Sequence, residues 1–276
     1  MNKYIVFFLA GVFLFVSCVS TGKPAPQSPI RPADISSPQE TLPVLSLEEL
    51  YDGGHWIAVQ PDGGLTVMGI AGRRANRDEA IAEALADAAR KVALYYGVQG
   101  ESASVLNQGS GNLEYYRDFD YKLNLLSKEE NYINDLVYDN EKDVLEKSGV
   151  VVVRVKYAGV SGIPSYKSVV ENGMPDWVKN YGQNIEIPGF WTAVSYSKNK
   201  GSPQKTFQAS YENAIVSLLP RLSSKTANEL VDVGGGRFSQ NYSVNYGVLE
   251  RVVILETWTD KEAGIIWTLL MAKPKN

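Results

Sequence analysis

Apolar positions recur at helical spacing in two stretches of the 276-residue chain. Between Asn76 and Gly97 the residues Ile81, Ala84, Leu85, Ala88, Val92 and Tyr95 form one stripe, the spacing of a helix that buries a single face. Asn76 is placed to cap the first turn with Glu79 reaching back three residues later, and Gly97 is a natural stop. A second stripe of Phe207, Tyr211, Ala214, Ile215, Leu218 and Leu219 follows Ser202 as cap and Pro203 in the first turn, with Pro220 marking an end or kink. On the first helix Glu79, Glu83 and Asp87 share a row that Lys91 continues. Pairing at i,i+4 on a solvated surface is the expectation for that row.

A shift of 126 positions superimposes the two stripes, laying Asn76 on Ser202, Ile81 on Phe207, Leu85 on Tyr211, Ala88 on Ala214 and Val92 on Leu218. The same shift lays the strand-like Thr66-Val67-Met68-Gly69-Ile70 on Thr192-Ala193-Val194-Ser195-Tyr196. Upstream of each stands a tryptophan with a β-branched neighbour, Trp56-Ile57 and Trp177-Val178. Downstream, each half closes in a hairpin-like pair: 131–138 and 149–155 around an acidic turn, then 252–258 and 264–270. The pattern predicts an α+β fold of two tandem repeated domains, 47–162 and 163–276, each a helix packed on a small antiparallel sheet in the order strand-helix-strand-strand-strand.

Ahead of the repeats the chain reads as an address and a tether. Lys3 precedes thirteen uncharged, mostly bulky residues from Tyr4 to Val16, then the small Ser17 and Cys18. That core is too short for the ~20 residues of a spanning helix, so 1–17 is expected to be a secretory signal peptide. Residues 18–46 follow as a tether; six of the thirteen prolines fall between Thr21 and Val44, a bias that keeps a chain extended. The plain role of this segment is that of a spacer, with a proline-recognition motif as the alternative.

Phe15-Val16-Ser17-Cys18 resembles the lipobox of bacterial lipoproteins. The resemblance implies that Cys18, the only cysteine, carries a diacylglycerol thioether and an N-acyl chain such as palmitate. Val19 rather than Asp after it points outward by the family's sorting rule, to the outer membrane. The body resembles the twenty-kilodalton bacterial lipoprotein family and the amino-terminal domain of flagellar T-ring proteins. That likeness rests on Gly69-Ile70-Ala71-Gly72, the Ala-rich Arg77 to Val92 helix and the closing strand from Gly149 to Tyr157, with Ser195 and Lys198 replacing two small glycines in the second half. It implies an envelope or periplasmic protein used in assembly or contact, with no catalytic residues.

Composition narrows the chemistry. With one His55 and one Cys18, a His/Cys metal site and an internal disulfide are excluded, and a net charge of −4 gives no reason to expect nucleic acid. Ser195-Tyr196-Ser197-Lys198 matches the Ser-x-x-Lys of penicillin-recognising enzymes, but the serine falls in a strand and no Lys-Thr-Gly occurs. Asp139, Glu141, Asp143 and Glu146 alternate as in a calcium loop, yet Val144 and Val150 stand where an EF-hand needs Gly and Glu. Gly234-Gly235-Gly236 and the Gly109, Gly111 pair lack the strand-loop-helix setting of a phosphate cradle. His55 is expected at a strand edge, Arg73 and Arg74 in a solvated loop, and the aromatics Tyr115, Tyr116, Phe119, Tyr121, Phe238, Tyr242 and Tyr246 chiefly as strand residues.

The sequence therefore leads to a lipid-anchored envelope lipoprotein, a non-catalytic binding or assembly module. Its expected partners are the membrane, through the anchor, and other envelope proteins, with no cofactor and no metal. Two alternatives stay open: an envelope hydrolase using acidic residues, and a small-molecule binder with its site between the domains.

Overall fold

The computed structural model describes residues 55–57, 64–72, 74–108, 113–114, 120–147, 150–164, 166, 168–183, 185–198, 200–233, 236–260 and 262–275, and only the backbone of 55–57, 104–108, 113–114, 120, 147, 224–233 and 236–242. The expected signal segment 1–17, Cys18 and the expected tether 18–46 lie outside them. In chain order the elements are β1 (His55–Ile57), β2 (Leu65–Gly72), α1 (Arg77–Tyr96), β3 (Val98–Gln108), β4 (Leu113–Glu114), β5 (Asp120–Leu125), β6 (Leu136–Val137), β7 (Val144–Lys147) and β8 (Val150–Tyr157). There follow β9 (Val170–Glu171), β10 (Met174–Pro175), α2 (Asp176–Lys179), β11 (Trp191–Lys198), α3 (Pro203–Leu218), β12 (Ser224–Val233), β13 (Gly236–Asp260) and β14 (Ile265–Pro274). The fold is α+β with antiparallel sheets.

Both long helices begin where their caps predict. The Asn76 side chain accepts from the Asp78 N–H at 2.9 Å, and Ser202 accepts from Lys205 N–H at 3.2 Å with Pro203 in the first turn. Glu79 has no part in the Asn76 cap, which closes on Asp78 instead. Gly97, at φ 142°, ends α1 in a conformation that disfavours side chains. Pro220 falls in a single 3₁₀ turn, Leu219–Arg221, that finishes α3.

The strands form two main sheets. In the smaller, β8 pairs with β2 on one side and with β6 and β7 on the other. In the larger, β11, β14, β13 and β3 lie side by side, with β1 and β12 also on β13 and with β4 and β5 on β3. The large sheet thus draws strands from both sides of position 162: β3 pairs with β13 from Val98↔Leu249 to Gln108↔Ser239.

Alternation sorts the core into two clusters. From β2, Leu65, Val67 and Ala71 join the α1 stripe, Val151, Val153 and Val155. Met68 and Ile70, on the other face, join Phe207, Tyr211, Ala214, Ile215 and Leu218 of α3. On β14, Leu269 and Met271 belong to the first cluster and Leu270 and Ala272 to the second. The first core lies under α1, and the second lies under α3 with Leu94 of α1 reaching into it.

The hairpin expected from 131–138 is largely absent. Residues Glu129–Asn131 and Ile133–Asp135 form 3₁₀ turns, and only Leu136-Val137 reach β8. Tyr132 stacks on Tyr96 with ring centroids 4.9 Å apart, and Ile133 packs on the first cluster; side-chain packing of the turn replaces a ladder. The tryptophans upstream of β2 and β11 also differ in setting. Trp56 lies in β1, whereas Trp177 lies in the four-residue α2, buried, with its indole donating to Glu256.

Candidate functional site

The polar residues of the body converge where α1 and α3 meet the outer edge of β2. An edge strand exposes backbone groups to unwanted pairing unless something covers them. Here side chains do it. The Lys91 ammonium donates to the Met68 carbonyl at 2.5 Å, Asp87 accepts from the Ile70 N–H at 2.8 Å, and Gln204 of α3 accepts from the Gly72 N–H at 3.3 Å.

Lys91 and Asp87 also pair at 2.6 Å, with the lysine side chain only 4% exposed. The ammonium lies over the Phe207 ring at 4.7 Å and the Tyr211 ring at 5.6 Å, aromatic faces that favour a cation. Burial pushes the Lys91 pKa down, against the pull of Asp87. Burial likewise holds the Tyr211 phenol well above its ordinary value, with the Asp87 charge adding to the effect. The expected solvated row on α1 is therefore corrected at this end: Asp87 and Lys91 pair at i,i+4 as anticipated, but inside the protein. Lys91 lies three residues from Ala88 and seven from Ala84, within the apolar stripe, so its long stem is carried into the core.

Further pairs tie the two helices together. Arg74 donates to Glu83 at 2.8 Å, and Gln204 donates to the other oxygen of Glu83 at 3.3 Å. The hydrogen bond from Arg74 draws the Glu83 pKa down. Arg90 reaches Glu212 at 3.4 Å, and the Tyr121 hydroxyl donates to the second oxygen of Glu212 at 2.9 Å. Burial and that neighbouring carboxylate push the Tyr121 phenol up to about 12. Away from the seam, Glu256 is fully buried on β13, accepting from Trp177 Nε1 at 2.6 Å and from the Ser168 N–H at 3.0 Å. It fastens the connecting segment to the large sheet, and only a register of β13 makes it visible.

The remaining candidates fall apart in space. Ser195 is half-buried within β11, and the buried Ser197 donates to the Lys198 carbonyl. Asp139 accepts from the Glu141 and Lys142 N–H groups, which draws its pKa down, while Asp143 pairs with Arg154 at 2.6 Å. Those carboxylates build a turn. His55 stands in β1, in register with Trp258; Phe238, Tyr242 and Tyr246 are in β13 and Tyr121 in β5. Arg73, Gly109, Gly111, Tyr115, Tyr116, Phe119, Gly234 and Gly235 lie outside the described residues. Among the described residues no group of three His, Cys, Asp or Glu side chains is placed to hold a metal.

Two surface features complete the inventory. A depression of about 270 Å³ lies among Ile185, Pro188, Phe190, Trp191 and Arg221. At the other end of β11, Tyr181, Tyr196 and Trp267 form an open corner of three rings, with Tyr196 and Trp267 centroids 4.7 Å apart and Tyr181 5.1 Å from Trp267 at 73°. Comparison with known proteins finds no counterpart: no family model, no curated protein and no solved structure matches the chain.

Proposed function

We propose that this chain is an exported lipoprotein, fastened through Cys18 to the bacterial envelope, whose α+β body is a non-catalytic binding or assembly module. The observation that carries the non-catalytic part is the engagement of its buried and half-buried acids. Glu83, Asp87, Glu212 and Glu256 each accept from a partner within the fold, whereas a general acid or base needs a proton path to substrate. A small-molecule site between the halves gains less support, because Lys91, Phe207, Arg90 and Glu212 fill the contact of α1 with α3.

The body is, in this reading, a tandem duplication related to the twenty-kilodalton lipoprotein family. Element ends support it. β2 (Leu65–Gly72) and β11 (Trp191–Lys198) are offset by 126 at both ends, and the first residues of α1 and α3 by the same number. β3 and β12 also start 126 apart. Contacts follow suit: Asp87 bonds Ile70 N, and Asn213 bonds the Tyr196 carbonyl, each residue displaced by 126.

Mass spectrometry of the native protein is expected to find residues 1–17 removed and Cys18 diacylglycerated and N-acylated, and Cys18→Ser is expected to leave the detergent phase. An unmodified thiol overturns the anchor. Turnover of cell-wall polymer by the purified protein, lost in Glu83→Gln, overturns the non-catalytic reading.

A further inference from the structure

The corner of Tyr181, Tyr196 and Trp267 is the exposed aromatic surface whose surroundings name an occupant. Tyr181 is 51% and Tyr196 38% exposed. Tyr196 and Trp267 are cross-strand partners on β11 and β14, and Tyr181 stands nearly perpendicular to both, its plane at 74° and 73° to theirs. Meeting edge to face, the three rings make a corner of exposed aromatic surface. That shape suits a chain carrying proline rings in the polyproline II conformation, which docks in aromatic-lined grooves at little entropic cost.

The large sheet includes β1, the first described element after the proline-rich segment in the chain. Across the sheet His55, Trp258, Trp267 and Tyr196 stand in one register row. His55 is thus three interstrand spacings of about 4.8 Å from Tyr196, or roughly 14 Å. β1 runs antiparallel to β13 from His55↔Trp258 to Ile57↔Glu256. β1 therefore begins at the end of the sheet that carries the corner. Pro43 precedes His55 by 12 positions, a reach of up to about 40 Å when extended. Joined by so short a link, the segment has an effective concentration on the order of millimolar at the corner, enough to fill a site of weak intrinsic affinity.

We propose that Tyr181, Tyr196 and Trp267 form a seat for residues 38–44 of the tether, Pro38-Gln39-Glu40-Thr41-Leu42-Pro43-Val44, which dock there in cis. Docking shortens the spacer and holds the body near its anchor, and release extends it. This contact is independent of lipidation and of whether the body has a catalytic role.

The test places a photo-crosslinking phenylalanine analogue at position 181 in the full-length protein in detergent micelles. The same analogue at the exposed Tyr246, in β13, serves as control. The expected result is an intramolecular adduct, in the monomer band, between position 181 and a peptide containing 38–44. That adduct should fall to the control level when Pro38 and Pro43 are both replaced by Gly, with the circular dichroism of the body unchanged. An adduct to a second copy of the chain, an adduct to any other segment, a yield no higher than at position 246, or a yield indifferent to the Pro→Gly changes overturns the proposal.

Discussion

The contacts of α1 with β2 and of α3 with β11 occupy positions 126 apart and solve the same packing problem differently. Under α1, Gly69 lets the helix come so close that a Cβ at that position would stand 1.8 Å from the Ala84 carbonyl oxygen. Under α3 the corresponding residue is Ser195, and Ser210 replaces Ala84, with its hydroxyl 2.6 Å from the Thr268 hydroxyl. The β2 edge is covered by a buried ion pair and a glutamine. At β11 the Asn213 side chain meets the Tyr196 carbonyl at 3.1 Å, and the position matching Lys91 is Ser217, which bonds the Ala214 carbonyl of its own helix. The difference follows from location: β2's edge faces both helices, so its backbone groups are largely withdrawn from water and need charged or amide partners. β11's edge lies at the rim of the large sheet, where a single amide suffices.

The largest test of that contrast is Lys91→Met. Removing the ammonium leaves the half-buried Asp87 without its cation and the Met68 carbonyl bare, an expected loss of about 3 kcal/mol in urea unfolding. Adding Asp87→Asn, which neutralises the abandoned charge, is expected to recover part of it. Ser217→Ala at the matched position should change stability by no more than about 0.5 kcal/mol. Equal effects at 91 and 217 would mean that the β2 edge needs no seal.

Next in size is the glycine itself. Gly69→Ala pits a methyl group against backbone, which cannot rotate away as a side chain can, so α1 must lift off the sheet at a cost of about 3 kcal/mol. Gly72, the other glycine of the Gly-Ile-Ala-Gly run, has room, since a Cβ there meets only the Gln204 side chain at 3.8 Å. Ser195→Ala is expected to stay within about 1 kcal/mol. Thermal midpoints of the two variants measure the difference, and a Gly69→Ala protein as stable as Ser195→Ala would show that helix and strand are not in close contact.

These same positions mark what could be read from sequence. Stripe spacing and caps located both helices, because local periodicity and capping act within a few residues. The acidic row on α1 was placed in solvent because Lys and Asp count as polar in any periodicity. Its angular position, with Lys91 seven residues after Ala84, held the contrary signal. The pairing of β3 with β13 joins residues more than 130 positions apart through Ser-, Asn- and Gly-rich strands, and such strands carry no one-faced pattern from which register can be inferred. Glu256 was invisible for the same reason: its partners, Trp177 and Ser168, are about 80 to 90 residues away.

The smallest prediction exchanges the chemistry of the two edges. Asp87 receives a backbone N–H, whereas Asn213 gives its own N–H to a carbonyl, so a carboxylate at 213 would face an acceptor. Asn213→Asp is therefore expected to lose one hydrogen bond and add repulsion, about 1 kcal/mol at neutral pH for a half-buried site. The sign with pH follows directly. Facing a carbonyl raises the new carboxyl's folded pKa above its unfolded value of about 4, so the penalty is present at neutral pH and vanishes as the pH falls and the group becomes a donor. Urea midpoints of Asn213→Asp and the parent chain should thus converge on acidification. A gap that stays constant with pH would mean that residue 213 does not address the β11 backbone, and the correspondence between the two edges would end at their spacing.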